Sequence, residues 1–453
     1  MRTEHDLVEA LRNAANGASV PADLDRGVSD RRRRRTRRRR HQSLLAAAGV
    51  VAVVLGGTAV TRGGQPADVA GPVTTAAPGA SDAAGEEGAE GARGPRAREV
   101  WPEAVSTIPK KAADGFRYRP VTALGPTEIL LTAEGSFEKA GRIEVYDTGT
   151  RTSRVLATLA SGRKGYYTQD VEAGRDYIAW YGTTPNDDDK WADFWVVPRQ
   201  GGDPVRVGEV TGDVALVDRI GVTGDHIVWS PRSGGVYRMP IGGGAPEKIE
   251  GTDGLWLDSW PWARDVPGDS FDEKARNADQ SLLVDLENGT RRTITPPPGV
   301  TGLRCSTEWC LGRADRTPVS MRVDGADVRR LTGFSHTGEI YGGRFTEVSG
   351  RGLSPVIYDL ATGKAGAVGA TSADGSNGGW GRGVSSSPTQ VFYWNAQQVE
   401  SKETCRPMSE RERKDLPGEA GAPSPGATMC TTEIVEPGDE NEILNLAAVP
   451  PAG

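Results

Sequence analysis

Beyond residue 101, short apolar runs recur along the chain, each followed by a turn and a second run. The first members read EILLT (Glu128–Thr132), YIAWY (Tyr177–Tyr181), HIVWS (His226–Ser230), LWLDS (Leu255–Ser259), EWCLG (Glu308–Gly312), YGGRF (Tyr341–Phe345) and VFYWN (Val391–Asn395). Their partners read RIEVYDTGT, DFWVVPRQGG, GVYRMPIGGG, SLLVDLENG, PVSMRVDG, PVIYDLATG and EILNLAAV. Equivalent partner positions, Tyr146, Val197, Met239, Val284, Met321 and Tyr358, are 51, 42, 45, 37 and 37 residues apart. A repeat of roughly 40 residues built from short strands predicts the four-stranded blades of a β-propeller. Successive strand side chains point to opposite faces. A blade packed on both faces therefore needs apolar residues at consecutive positions, as in IAW and VFYW. Gly-Gly and Asp-Gly pairs after the partner strands supply the positive φ that tight hairpins require. No segment after Trp101 carries the period of a long amphipathic helix. The expected fold is all-β, with seven four-stranded blades over residues 99–453; six and eight are the neighbouring counts.

Two insertions interrupt the repeat. One, SWPWARDVPGDSFDEKARNADQ, separates LWLDS from SLLVDLENG, and a longer Pro/Gly/Glu-rich stretch separates VFYWN from EILNLAAV. Loops on a rigid scaffold are where binding is concentrated.

Upstream of Trp101 the pattern changes, and no aromatic residue occurs there. Residues 43–61 lie in an uncharged, largely apolar run with LLAAAGVVAVVL at its heart. About 20 such residues span a bilayer as a helix. Immediately before it stand Arg31, Arg32, Arg33, Arg34, Arg35, Arg37, Arg38, Arg39 and Arg40. Positive charge is retained on the cytoplasmic side, so the predicted span has residues 1–42 inside and the propeller outside. A cleaved signal peptide is the rival reading, although its basic region would be unusually long. Residues 62–98 are rich in Gly, Ala and Pro, with Thr, Glu and other polar residues, the composition of a disordered tether. In the stub, Leu7, Leu11 and Ala14 share one helical face, to dock a partner or lie on the membrane.

Charge follows the same division. Residues 1–42 hold 12 Lys/Arg against 6 Asp/Glu, and the remainder is acidic overall. The arginine run could also suit nucleic acid, but its position beside the span favours membrane orientation and anionic lipid. The partners expected are therefore the bilayer and a protein or envelope ligand outside, with no nucleic acid.

The segments HIVWS…GVYRMPIGGG and SMRVDGADVRRLTG resemble the blades of TolB-like and WD40-like bacterial propellers. Val328, Arg329, Arg330, Leu331, Thr332 and Gly333 match that family's outer-strand motif. The Trp-Asp and Gly-His pairs of eukaryotic WD40 blades are absent, which places the resemblance nearer the TolB-like group. The resemblance implies protein–protein contacts at the bacterial cell envelope.

Candidate chemistry is sparse. Cys305, Cys310, Cys405 and Cys430 all follow the predicted span. An even count outside the cell favours disulfides, and proximity suggests 305–310 and 405–430. No metal motif is present. His226 in a strand and His336 in a loop lack any recognisable catalytic motif around them. Asn186, Asp187, Asp188 and Asp189, and likewise Asp265, Asp269, Asp272 and Glu273, read as solvated acidic loops. Trp260, Trp262 and Arg264, on the first insertion, are the candidate ligand-binding residues. They could form an aromatic platform for a sugar, peptide or peptidoglycan fragment, although packing of the insertion back onto its blade is the favoured reading. The leading expectation is a membrane-anchored exterior binding module without catalytic residues, metal or cofactor. The alternatives are a sensor whose stub engages a cytoplasmic regulator such as a sigma factor, and an exterior hydrolase or lyase.

Overall fold

A computed structural model describes Val50–Val51 and residues 94–452, apart from 137–138, 160–165, 185–189, 269–277, 316, 332–334, 350–354, 371–378, 399, 408–427 and 436. Seven four-stranded antiparallel sheets form the blades. Blade 1 runs Arg117–Ala123, Glu128–Ser136, Lys139–Asp147 and Thr152–Thr158 from the axis outward. Blade 2 follows with Tyr167–Ala173, Tyr177–Thr183, Trp191–Pro198 and Val205–Thr211. Blade 3 comprises Val217–Val222, His226–Pro231, Tyr237–Pro240 and Glu247–Lys248. Blade 4 comprises Trp256–Ser259, Trp262–Arg264, Leu282–Asp285 and Arg291–Thr293. Blade 5 comprises Val300–Cys305, Trp309–Ala314, Thr317–Arg322 and Arg329–Arg330. Blade 6 comprises Ser335–Tyr341, Phe345–Ser349, Val356–Asp359 and Ala365–Ala367.

Blade 7 closes the ring. Its inner three strands are Trp380–Arg382, Val391–Asn395 and Glu440–Asn445, while its outermost strand, Val105–Pro109, comes from the start of the domain. The first strand of one end thus completes the last blade of the other.

The core is distributed among the seven blade junctions. Alternation within a strand explains how. Leu130 packs toward blade 2, while its neighbours Ile129 and Leu131 pack toward blade 7. Ile178 and Trp180 face blade 1, whereas Ala179 and Tyr181 face blade 3. The consecutive apolar positions of the sequence are therefore two half-cores back to back.

Three expectations are corrected by the strand order. LWLDS supplies the innermost strand of blade 4, because Trp262–Arg264 is the second. The insertion expected from Trp260 onward thus begins only after Arg264. YGGRF is a turn between strands of blade 6, with Gly342 and Gly343 at φ +55° and +71°. His336, expected in a loop, lies on the innermost strand of blade 6.

The second insertion carries a hairpin, Glu400–Pro407 with Thr428–Val435. Of the predicted span 43–61, only Val50–Val51 are described, as a short strand opposite Thr432 and Thr431. The arginine run, the stub and residues 62–93 lie outside the described residues. Among the described residues, no helix is long and apolar enough to cross a membrane.

Candidate functional site

The innermost strands bring ionisable side chains to the centre of the ring. Arg219 of blade 3 donates through Nη1 to the Asp258 carbonyl, and the same nitrogen lies 3.4 Å from Asp258 Oδ1. Arg264, from the second strand of blade 4, reaches the same carboxylate oxygen at 3.2 Å through its Nη1. Both arginines are buried. Burial opposes the Arg219 charge, but Asp258, Asp218, Glu339 and Glu172 outweigh it and hold its pKa above the ordinary arginine value. Arg304 of blade 5 donates to the Ala278 and Leu303 carbonyls at 2.6 and 2.8 Å. Burial, and then the neighbouring Arg264 charge, lower the Arg304 pKa to about 10.

A second cluster joins blades 6 and 7. Arg382 Nη1 donates to Glu339 Oε2 at 2.8 Å and to the Tyr341 hydroxyl, which itself donates to Glu339 Oε2 at 3.0 Å. Glu347 Oε2 stands 4.0 Å from Arg382 Nη1. Burial is the main cause that pushes the Glu347 carboxyl up to about 7; Arg382 opposes the rise and Glu339 adds to it.

On the side of blades 1 to 3, residues 383–390 form a strap along the inner strands. Val384 N–H donates to the Pro120 carbonyl at 3.1 Å and Ser386 N–H to that of Val171 at 3.2 Å. Ser386 Oγ accepts from the Ile220 N–H at 2.8 Å. Glu172 Oε2 accepts from Ser385 Oγ at 2.9 Å and from the Ser387 N–H at 2.7 Å. The strap thereby satisfies backbone groups on sheet edges that face the axis.

The sequence-predicted residues divide. Arg264 belongs to the central charge cluster. Trp262 packs with the blade 4–blade 5 core, with the Arg292 guanidinium 6.0 Å from its ring centroid. Trp260 lies instead against Gly221 of blade 3, where a side-chain carbon would come within 3.2 Å of Trp260 Cβ. The two tryptophans thus sit against different blades.

The disulfides are Cys305–Cys310 and Cys405–Cys430, each joining directly opposed residues of a hairpin. Glu403 lies beside the second pair, but both sulfurs there are bonded to each other and offer no thiolate to a metal.

His226 Nδ1 lies 2.8 Å from Asp225 Oδ1 on blade 3. No hydroxyl or thiol hydrogen-bonds its ring among the described residues. Asp265 accepts from the Ser281 and Leu282 N–H groups, each at 3.1 Å, so it ties two strands together. Asn186, Asp187, Asp188, Asp189, Asp269, Asp272 and Glu273 lie outside the described residues. Arg219, Arg382 and Glu347 were not singled out by the sequence. Arg219 stands beside Asp218, Arg382 lies in a glycine-rich stretch and Glu347 is a single charge in FTEVS, so none carries a spacing signature.

No protein-family model matches the chain, and no curated protein matches it. Among solved structures, YCF48 bound to D1 peptide is similar at 9% identity, over 76% of this chain and 97% of that one, with a TM-score of 0.39. An oligogalacturonate lyase from Vibrio parahaemolyticus is similar at 10% identity, over 60% of this chain and 88% of its own, with a TM-score of 0.35. An acylaminoacyl peptidase is similar at 14% identity, over 53% of this chain and 43% of its own, with a TM-score of 0.37.

Proposed function

We propose that this chain is a membrane-anchored, extracytoplasmic propeller that works by binding a protein at the cell envelope. The supporting observation is that all four cysteines pair, leaving no free thiol. Disulfides persist in oxidising compartments. With residues 43–61 as a membrane helix, a state in which Val50–Val51 leave their pairing with Thr431 and Thr432, the arginine run keeps the N-terminus cytoplasmic. The stapled hairpin offers the binding arm. Residues 403–407 are exposed, and the hairpin is inserted between the second and third strands of blade 7 without interrupting that sheet.

Protease treatment of intact cells tests the topology. The expected result is loss of the propeller from the full-length band, with an epitope on the first forty or so residues protected. Protection of the propeller, or a mature N-terminus after the apolar run, overturns the anchored exterior reading.

A further inference from the structure

Gly268 follows the second strand of blade 4 and faces the central charge cluster. A side-chain carbon on Gly268 would lie 3.2 Å from Arg219 Nη2, 3.4 Å from Arg264 Nη2 and 3.6 Å from Asp218 Oδ2. Two guanidinium groups from different blades therefore converge beside a residue with no side chain. Both approach Asp258 through the other terminal nitrogen, Nη1. Arg264 is buried, and its Nε has no hydrogen-bond partner. A buried guanidinium with unused donors is costly unless an acceptor is supplied.

We propose that the Arg219–Arg264 pair beside Gly268 binds a small oxyanion that also carries a hydroxyl group. The two guanidinium forks suit the oxygens of a carboxylate or phosphate group. Asp218 sets the second requirement. As an ionised carboxylate it only accepts hydrogen bonds. It repels an oxyanion whose oxygens are all bare, but takes a hydrogen bond from one that retains an O–H. Hydrogen phosphate and α-hydroxycarboxylates share this chemistry; sulfate and acetate lack the hydroxyl. The Arg304 charge, already in repulsion with that of Arg264, adds to the attraction for an anion. This inference stands apart from membrane anchoring and from the partner of the hairpin.

The test is titration calorimetry on the purified full-length chain at constant ionic strength, with chloride as the balancing anion. Phosphate is compared with sulfate, and lactate with acetate. Saturable binding of phosphate or lactate, at least tenfold tighter than its hydroxyl-free counterpart, is expected; which of the two binds identifies the source of the oxyanion. Gly268→Ala keeps every charge but places a methyl group between the guanidinium groups, so it should weaken binding at least tenfold. Arg264→Gln should do the same. Asp218→Asn should bring sulfate to within about threefold of phosphate, or acetate of lactate. Absence of saturable binding by the wild-type chain overturns the site, as does undiminished binding by folded Gly268→Ala protein. Equal wild-type affinities for phosphate and sulfate, and for lactate and acetate, overturn the role of Asp218.

Discussion

Glu347 is the one ionisable residue of FTEVS, the second strand of blade 6, and it is buried there. Its carboxyl titrates at about 7 because burial penalises the charged form. The folded value lies above the unfolded one, so the stabilising contribution is present below the unfolded pKa. It is lost as pH rises from about 4.5 to about 7. Glu347→Gln removes the titration but keeps the shape. Relative to wild type it should gain about 3 kcal/mol at pH 8 and nothing at pH 4, read by urea unfolding at both pH values. An equal effect at the two pH values would mean that the carboxyl is solvated. Sequence periodicity identifies residue 347 only as a strand position. Its protonation depends first on burial within the ring and then on Arg382 and Glu339, which come from different strands. Arg264 was legible as a candidate, but in an insertion; its actual strand is three residues long and carries no alternation of its own. The disulfide pairs were legible because each closes a local hairpin.

Elements divide in the same way. The strands that pack on both faces were readable, since consecutive apolar residues have no other efficient use in a blade. The strap 383–390 was not, because GVSSSPTQ is polar and Pro-containing and reads as a connection. Its order comes from edges far away in the sequence, at Pro120, Val171 and Ile220. Gly383 is what allows the approach. A side-chain carbon there would overlap the Val121 carbonyl oxygen and Thr389 Oγ1. Backbone and a hydrogen-bonded hydroxyl cannot swing aside as a flexible side chain does. Gly383→Ala should therefore lift the strap at a cost of about 1–3 kcal/mol. Hydrogen exchange would be measured on the Val384, Ser386 and Ser387 amides, with an increase of at least tenfold expected. Unchanged protection would show that the strap is held independently of its contact with blade 1.

At the scale of the whole molecule, stability depends on how the ring is closed. Six blades are continuous meanders, but blade 7 joins both ends of the domain through Val105–Pro109 and Glu440–Asn445. The segment just before that strand reinforces the joint: Ala97–Val100 lies beside the outer strand of blade 6, and Trp101 is 2% exposed against Phe345, its ring centroid 6.0 Å away and edge-on. A side-chain carbon on Gly366 would come within 2.8 Å of Trp101 Cζ3, so blade 6 is cut to fit this ring. Trp229, fully buried at the junction of blades 2 and 3, is a matched control inside an uninterrupted stretch of chain. Replacing either tryptophan by alanine should cost about 3–5 kcal/mol through lost contacts and the cavity left behind. The two losses should differ in where the molecule opens. Trp101→Ala weakens the joint between the chain ends, so the Val105–Pro109 and Glu440–Asn445 amides should exchange through a local opening well below the global unfolding free energy. Trp229→Ala should leave those amides exchanging only with the rest of the ring. If both variants show the same pattern, closure is no weaker than any other blade junction, and Val105–Pro109 is not the seam of the propeller.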